Sequence, residues 1–307
     1  MTAPSAQLLG EIGLDPSWSH TVEVPSHDAK THRWHYLDRP GLDDSAPTVL
    51  CLHGNPTWSY LWSRLFRELN EKFRVIAPDH LSMGYSEQVG ARRYRDRVAD
   101  INDFVNALGI TGPIWLVAQD WGGAIAMGYA VAHPERVAGL VLSNTGIAVP
   151  VGRKAPRLIQ ISASGGLHRT ITRNTSLFVR GTAFLPGAGL SKQQRQGLVA
   201  PYMHRNERDG IAGFVADVPF NDKHESFNDI AHVAAQLPNL NVPVRLWWGA
   251  KDPVFNDDFA DDLIKRFSDV QIHRVANSGH LAVLETSIAT FVENAISQSQ
   301  SANSQGV

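Results

Sequence analysis

The sequence is poor in cysteine, in net charge and in long apolar runs. Cys51 is its one cysteine among 307 residues, which excludes an intrachain disulfide and a multi-cysteine metal site. It stands inside the apolar run Thr48-Val49-Leu50-Cys51-Leu52, where a small buried hydrophobe is the expected role. The formal net charge is −2, so nothing points to nucleic acid or to an anionic membrane surface. No apolar stretch approaches the roughly 20 residues needed to span a bilayer. The N-terminal MTAPSAQLLGEIGL carries no basic segment ahead of a long apolar run. A signal peptide is therefore not expected, and the cytoplasm is the default compartment. Neither a metal nor an organic cofactor is implied.

What is present is ordinary for a globular enzyme-sized chain: 43% hydrophobic and 19% charged residues. There are no internal repeats. Short strand-like runs alternate with helical periodicity. Trp34 to Leu37 reads as an early strand, and Thr48 to Leu52 as one buried on both faces. Leu61, Leu65, Phe66 and Leu69 then recur at helical spacing. Phe73 to Ala77 is the next strand. Val98, Ile101, Phe104, Val105 and Leu108 mark an amphipathic helix closed by Gly109. Ile114 to Ala118, a small-residue helix from Gly122 to Ala132, and Val137 to Leu142 continue the alternation. This pattern predicts a mostly parallel sheet with helices on both faces.

The alternation stops near Asn144 and resumes with Val244 to Trp248, a helix around Phe259, Leu263 and Phe267, a strand over Val270 to Val275, and a last helix at Ile288, Phe291 and Val292. Residues 147–241 between them are irregular and largely helical. They are expected to form a cap over the C-terminal edge of the sheet, where open α/β sheets bind ligands. The core is accordingly 1–146 and 242–296. The stretch 297–307, SQSQSANSQGV, has no apolar face and is expected to be a disordered tail or a linker.

The chemistry-bearing signal is Leu116-Val117-Ala118-Gln119-Asp120-Trp121-Gly122-Gly123. A buried strand enters a helix through a sharp turn, with small residues at Ala118, Gly122 and Gly123. This is the nucleophile-elbow pattern, small-x-nucleophile-x-Gly, and Asp120 fills the nucleophile slot. No Gly-x-Ser-x-Gly occurs in the chain. A strand–Asp–helix junction can also be a plain helix cap. Two further motifs favour chemistry. Gly249-Ala250-Lys251-Asp252-Pro253 directly follows a strand, and Ser278-Gly279-His280 precedes the last helix. Nucleophile, acid and histidine in that order is the α/β-hydrolase triad. Asp257 and Asp258 are weaker rivals for Asp252, because they fall inside the next helix. His53-Gly54-Asn55-Pro56 follows the strand expected beside the elbow. Backbone N–H groups of Asn55 and Trp121, with the Asn55 amide and the Trp121 indole, would supply the donors that stabilise developing charge. Such donors are worth roughly 3 kcal/mol each.

His53 to Tyr60, Pro78-Asp79-His80-Leu81-Ser82-Met83-Gly84-Tyr85-Ser86 and Gln119-Asp120-Trp121-Gly122-Gly123 together resemble the haloalkane dehalogenase family. The resemblance implies an α/β-hydrolase fold with an inserted helical cap. It also implies a displacement in which Asp120 attacks carbon and forms an ester. In a dehalogenase His280, oriented by Asp252, then activates water against that ester, and Asn55 and Trp121 hold the halide. Ser143-Asn144-Thr145 offers no acid after the sixth strand, and residues 147–241 hold no tryptophan. The chain thus resembles the branch with Asn, Trp and a late Asp.

Within the cap, Ala200-Pro201-Tyr202, Arg205-Asn206, Arg208, Gly213 to Pro219 and His224-Glu225-Ser226 resemble the β-lactone decarboxylases of bacterial long-chain olefin biosynthesis. That resemblance implies a cis-β-lactone with long alkyl chains as substrate, a cis-olefin and CO2 as products, and a β-lactone synthetase as a possible fused domain or subunit. Ala118 departs from the glycine common at its position, a conservative change for the turn. Which ring carbon Asp120 attacks stays open. So does the need for His280 as a base, since the net reaction consumes no water. Hydrolysis of alkyl halides is the alternative, because the same triad performs it. Epoxide hydrolysis is disfavoured, since it calls for a pair of cap tyrosines and 147–241 contains only Tyr202. A non-catalytic binding protein is disfavoured by the intact triad. Phe178, Phe184 and Leu185 are candidates for an alkyl pocket, and core packing accounts for them equally well.

Overall fold

In a computed structural model, residues 2–150, 152–153, 172–185, 187 and 189–305 are described. Eight strands form one sheet: β1 Ser19–Pro25, β2 Thr31–Arg39, β3 Thr48–Leu52, β4 Arg74–Pro78, β5 Ile114–Gln119, β6 Val137–Ser143, β7 Val244–Gly249 and β8 Val270–Val275. Their order is β1-β2-β4-β3-β5-β6-β7-β8. The β1–β2 and β2–β4 pairs are antiparallel, and all others are parallel.

The burial of each strand explains its composition. Every residue of β5 is buried, and so is β3 beyond Thr48. A strand covered by helices on both faces needs an unbroken apolar run rather than alternation. Leu50, Leu116, Val141 and Leu246 are fully buried across the central strands. Each such side chain contributes about 1.5–3 kcal/mol through burial. β1 lies at the edge and carries His20, Thr21 and Glu23 on exposed positions. Its weak apolar pattern is why no strand is expected there from the sequence.

The chain order reverses around β3, which lies between β4 and β5. Loops leaving the C-terminal ends of β3 and β5 therefore flank a switch point, the place where open α/β sheets build ligand sites. The Leu61–Leu69 periodicity resolves into a 3₁₀ turn, Ser59–Trp62, and a helix, Ser63–Glu68. Between 147 and 241 the described elements are helical, including Leu177–Thr182, Lys192–Val199, Asp209–Ala216 and Phe227–Gln236. Residues 151, 154–171, 186 and 188 of the expected cap lie outside the described residues.

The polar stretch after Ile296 departs from expectation. The last helix, Ala289–Gln305, continues through it as far as Gln305 instead of fraying after Ile296. Val292, Ala295 and Ile296 anchor that helix in the core. Once a helix is nucleated, each added residue costs little, so Ser, Gln and Ala can extend it without an apolar face of their own. Among the described residues no helix is long and apolar enough to cross a membrane.

Candidate active site

Asp120 directly follows β5 and precedes the helix Trp121–Ala132, with φ 54° and ψ −127°. A non-glycine residue in this region costs about 1–3 kcal/mol, and such strain persists only where the surroundings enforce it. Asp120 N–H donates to the Asn144 carbonyl at 3.1 Å, and Thr145 Oγ1 donates to the Asp120 carbonyl at 2.6 Å. The turn closes only because Gly122 lacks a side chain: a Cβ there would lie 2.1 Å from the Leu52 carbonyl oxygen. Beyond the adjacent Trp121 N–H, the Asp120 side chain makes no capping hydrogen bond to its helix.

The carboxylate instead faces the end of β3. Asn55 N–H donates to Asp120 Oδ1 at 2.7 Å, and the Trp121 backbone N–H also bonds the carboxylate. Gly54 makes this approach possible, since a Cβ on it would stand 2.3 Å from Oδ1. The opposite oxygen, Oδ2, lies 3.8 Å from His280 Nε2. His280 Nδ1 bonds Asp252 Oδ2 at 2.9 Å. All three side chains are buried. Asp257 pairs with Arg274 and Asp258 with Arg153 at the head of the helix Asp257–Arg266, so neither competes for His280.

Electrostatics follow from this burial. Desolvation raises the Asp120 pKa, opposed by His280 and by the N–H groups of Trp121 and Asn55. For His280, burial disfavours the charged ring, but Asp252, Asp120 and Glu285 outweigh it and push the pKa up to about 9. The His280 ring thus sits between the carboxyl groups of Asp252 and Asp120, which favour its charged form. Oδ1 of Asp120 accepts from Asn55 N–H, and Oδ2 faces His280.

The expected leaving-group donors are less uniform. Trp121 is half-buried with its ring edge-on against Phe214, at 5.6 Å between centroids. The Asn55 amide donates to the Ile211 carbonyl at 3.3 Å, and its Oδ1 is buried without a hydrogen-bond partner. Both residues thus touch the helix Asp209–Ala216, which sits on the site. Tyr202 is committed elsewhere: its hydroxyl donates to Thr57 O at 2.7 Å and accepts from Gly84 N at 3.0 Å. It is not available to protonate an epoxide.

Three neighbours of the site were not predicted from sequence. Gln119 Nε2 donates to the His280 carbonyl at 3.0 Å and lies 3.3 Å from its Nε2. Phe255 stacks on the His280 ring at 6.0 Å. Glu285 accepts from Gly279 N–H at 2.8 Å. Only the elbow motif hinted at Gln119, and nothing local announces the other two. A cavity of about 240 Å³ adjoins Leu281, next to His280, with Phe184, Leu185 and Leu190 among its walls. Phe178 packs against the core instead. Among the described residues His27, Asp100 and Asp103 bring potential metal ligands within 4.8 Å of one another. Arg92 pairs with Asp100 and His27 bonds Asp103, on elements apart from the elbow.

A family model described as the alpha/beta hydrolase fold matches residues 47–287. The chain belongs to the α/β-hydrolase fold family. Among its curated α/β-hydrolase relatives, a cis-3-alkyl-4-alkyloxetan-2-one decarboxylase of Xanthomonas campestris is 30% identical over 84% of this chain and 91% of its own. The corresponding decarboxylase of Shewanella oneidensis is 28% identical over 88% and 90%. Haloalkane dehalogenase 2 of Mycobacterium tuberculosis is 31% identical over 74% and 78%. In three dimensions the α/β-hydrolase core and its helices superpose on haloalkane dehalogenase DbeA of Bradyrhizobium elkani USDA94, with a TM-score of 0.79 and 22% identity over 92% of this chain and 99% of that one. Haloalkane dehalogenase DatA of Agrobacterium tumefaciens C58 gives 0.79 at 17% identity, over 96% and 100%. At such identities the structures speak for the fold alone.

Proposed function

We propose that this chain is a β-lactone decarboxylase that converts a cis-β-lactone bearing two alkyl chains to a cis-alkene and CO2. The observation that carries the chemistry is the buried carboxyl group of Asp120, with one oxygen held by Asn55 N–H and the other facing His280. The substrate is favoured by similarity to oxetan-2-one decarboxylases over 84–88% of the chain, against 74% for the dehalogenase. An oxetan-2-one is a β-lactone. The proposal assigns 1–146 and 242–296 to the core and 147–241 to a cap.

Asp120 Oδ2 attacks the saturated ring carbon that carries the lactone oxygen. That C–O bond breaks, an alkyl ester forms on Asp120, and the ring opens to a carboxylate. Asn55 and Trp121 donate to the charge that develops there. The carboxylate then loses CO2. Its electron pair becomes the C=C bond, and the ester C–O bond breaks to return Asp120 as an anion. Attack with inversion followed by anti loss of the ester yields the same cis geometry as the starting ring. No water enters, so His280 need not act as a base. Its imidazolium, oriented by Asp252, stabilises the departing Asp120 carboxylate. This assigns Asp120, His280 and Asp252 as catalytic residues. The substrate must come from a β-lactone-forming synthetase, as a separate subunit or a fused domain, and the cytoplasm is the proposed setting.

The second reading is hydrolytic dehalogenation, favoured by the 31% identity to the mycobacterial enzyme. There the same ester is cleaved by water. A product assay on a cis-β-lactone with two long alkyl chains, run beside 1-bromobutane, separates the two. Alkene and CO2 with little bromide are expected. Rapid bromide release with the lactone untouched would replace this proposal with the second reading.

A further inference from the structure

His280 is carried on the loop 276–281, between β8 and the short helix Ala282–Glu285. The peptides just before it are unusually well fixed. Ser278 N–H donates to Val275 O at 3.1 Å, and Ser278 O accepts from Lys251 N–H at 2.9 Å. The next N–H, that of Gly279, is taken by a side chain: Glu285 Oε2 accepts it at 2.8 Å. Glu285 is itself held from two directions. Its carbonyl accepts from Arg64 Nη1 at 2.9 Å, on the helix Ser63–Glu68. Its carboxylate lies beneath Gly187 of the segment expected as the cap, where a Cβ would stand 2.1 Å from Oε1. A carboxylate is more than this loop requires, because any acceptor would satisfy one N–H. The charge, however, adds to those of Asp252 from the loop after β7 and Asp120 from the elbow in favouring a protonated His280. The Lys251 ammonium group donates to Asn277 Oδ1 at 3.2 Å.

We propose that Glu285 is a positioning residue for His280: its carboxylate fixes the Gly279 peptide, which sets the ring between Asp252 and Asp120, and supplies a third negative charge to the imidazolium. This rests on the catalytic role given to His280 above. It adds a link from the cap side of the molecule to the charge state of the centre.

The test uses the whole chain, labelled with ¹⁵N-histidine, with His280 assigned by its loss in His280→Gln. Glu285→Gln keeps an acceptor for Gly279 and removes the charge, while Glu285→Ala removes both. In Glu285→Gln the His280 titration should move down, by less than loss of the Asp252 or Asp120 charge would move it. In Glu285→Ala kcat on the lactone should fall by about 100-fold, the scale of a 1 Å misplacement, with KM little changed. Glu285→Asp should restore part of both. An unshifted His280 titration in Glu285→Gln overturns the proposal, even if Glu285→Ala is slow, because a mere loop staple gives that result. The titration needs no substrate. If His280→Gln turns over like the native chain, it is the decarboxylation mechanism that fails, not the link between Glu285 and His280.

Discussion

Replacing Gly54 with alanine is the smallest change that reaches Asp120 without altering it. The added methyl would lie 2.3 Å from Asp120 Oδ1 and 2.4 Å from its Cβ, whereas ordinary contact begins near 3.4 Å. Gly54 does not use a positive φ, so alanine carries no backbone penalty of its own there. The whole effect falls on the carboxylate and on the 2.7 Å bond from Asn55 N–H. One of them must move by about 1 Å, and misplacement on that scale costs about 100-fold in rate. Overpacking costs about 1–3 kcal/mol of stability, which leaves a domain of this size folded. The assay is alkene release from the lactone, with a thermal melt as the fold control. A folded Gly54→Ala with native kcat would refute the placement of Asp120 as nucleophile.

His280→Gln challenged with 1-bromobutane should accumulate an ester on Asp120, seen by mass spectrometry as one added butyl group on the peptide containing Asp120. No adduct and no change in bromide release would count against His280 facing that ester. The pH dependence has two limbs. Because burial raises the Asp120 pKa, turnover should fall in acid at a higher pH than an ordinary aspartate would give. Because His280 is raised from 6.5 to about 9, its contribution to stability is complete below 6.5 and is lost as pH rises through 9. Thermal melts of the native chain should therefore drop across that window, and those of His280→Gln should drop less. A native melt that is flat there would remove the charged pair from the account.

Much of this was legible in the sequence, for physical reasons that differ by element. β3 and β5 announce themselves because a strand buried on both faces has no polar position to interrupt it. The elbow is legible because its small residues are steric necessities, as the contact between Gly122 and the Leu52 carbonyl makes plain. Asp252 and His280 follow from chain order, which the topology translates into one end of the sheet. β1 escaped because an edge strand tolerates His20 and Glu23. Gln119 and Glu285 escaped because their partners are set by the loop that carries His280. Gln119 meets that histidine across 161 residues of chain, a distance no local pattern encodes. The helix beyond Ile296 escaped because propagation depends on the anchored turns before it, not on the added residues.

The most direct test of the central claim is the product mixture from a cis-β-lactone with two long alkyl chains, given to the native chain and to Asp120→Asn. Equal amounts of cis-alkene and CO2 from the native chain, and none from Asp120→Asn, are predicted, because an amide is a far poorer nucleophile than a carboxylate. Alkene formation that survives in Asp120→Asn, or a lactone opened only to its hydroxy acid, would contradict the account.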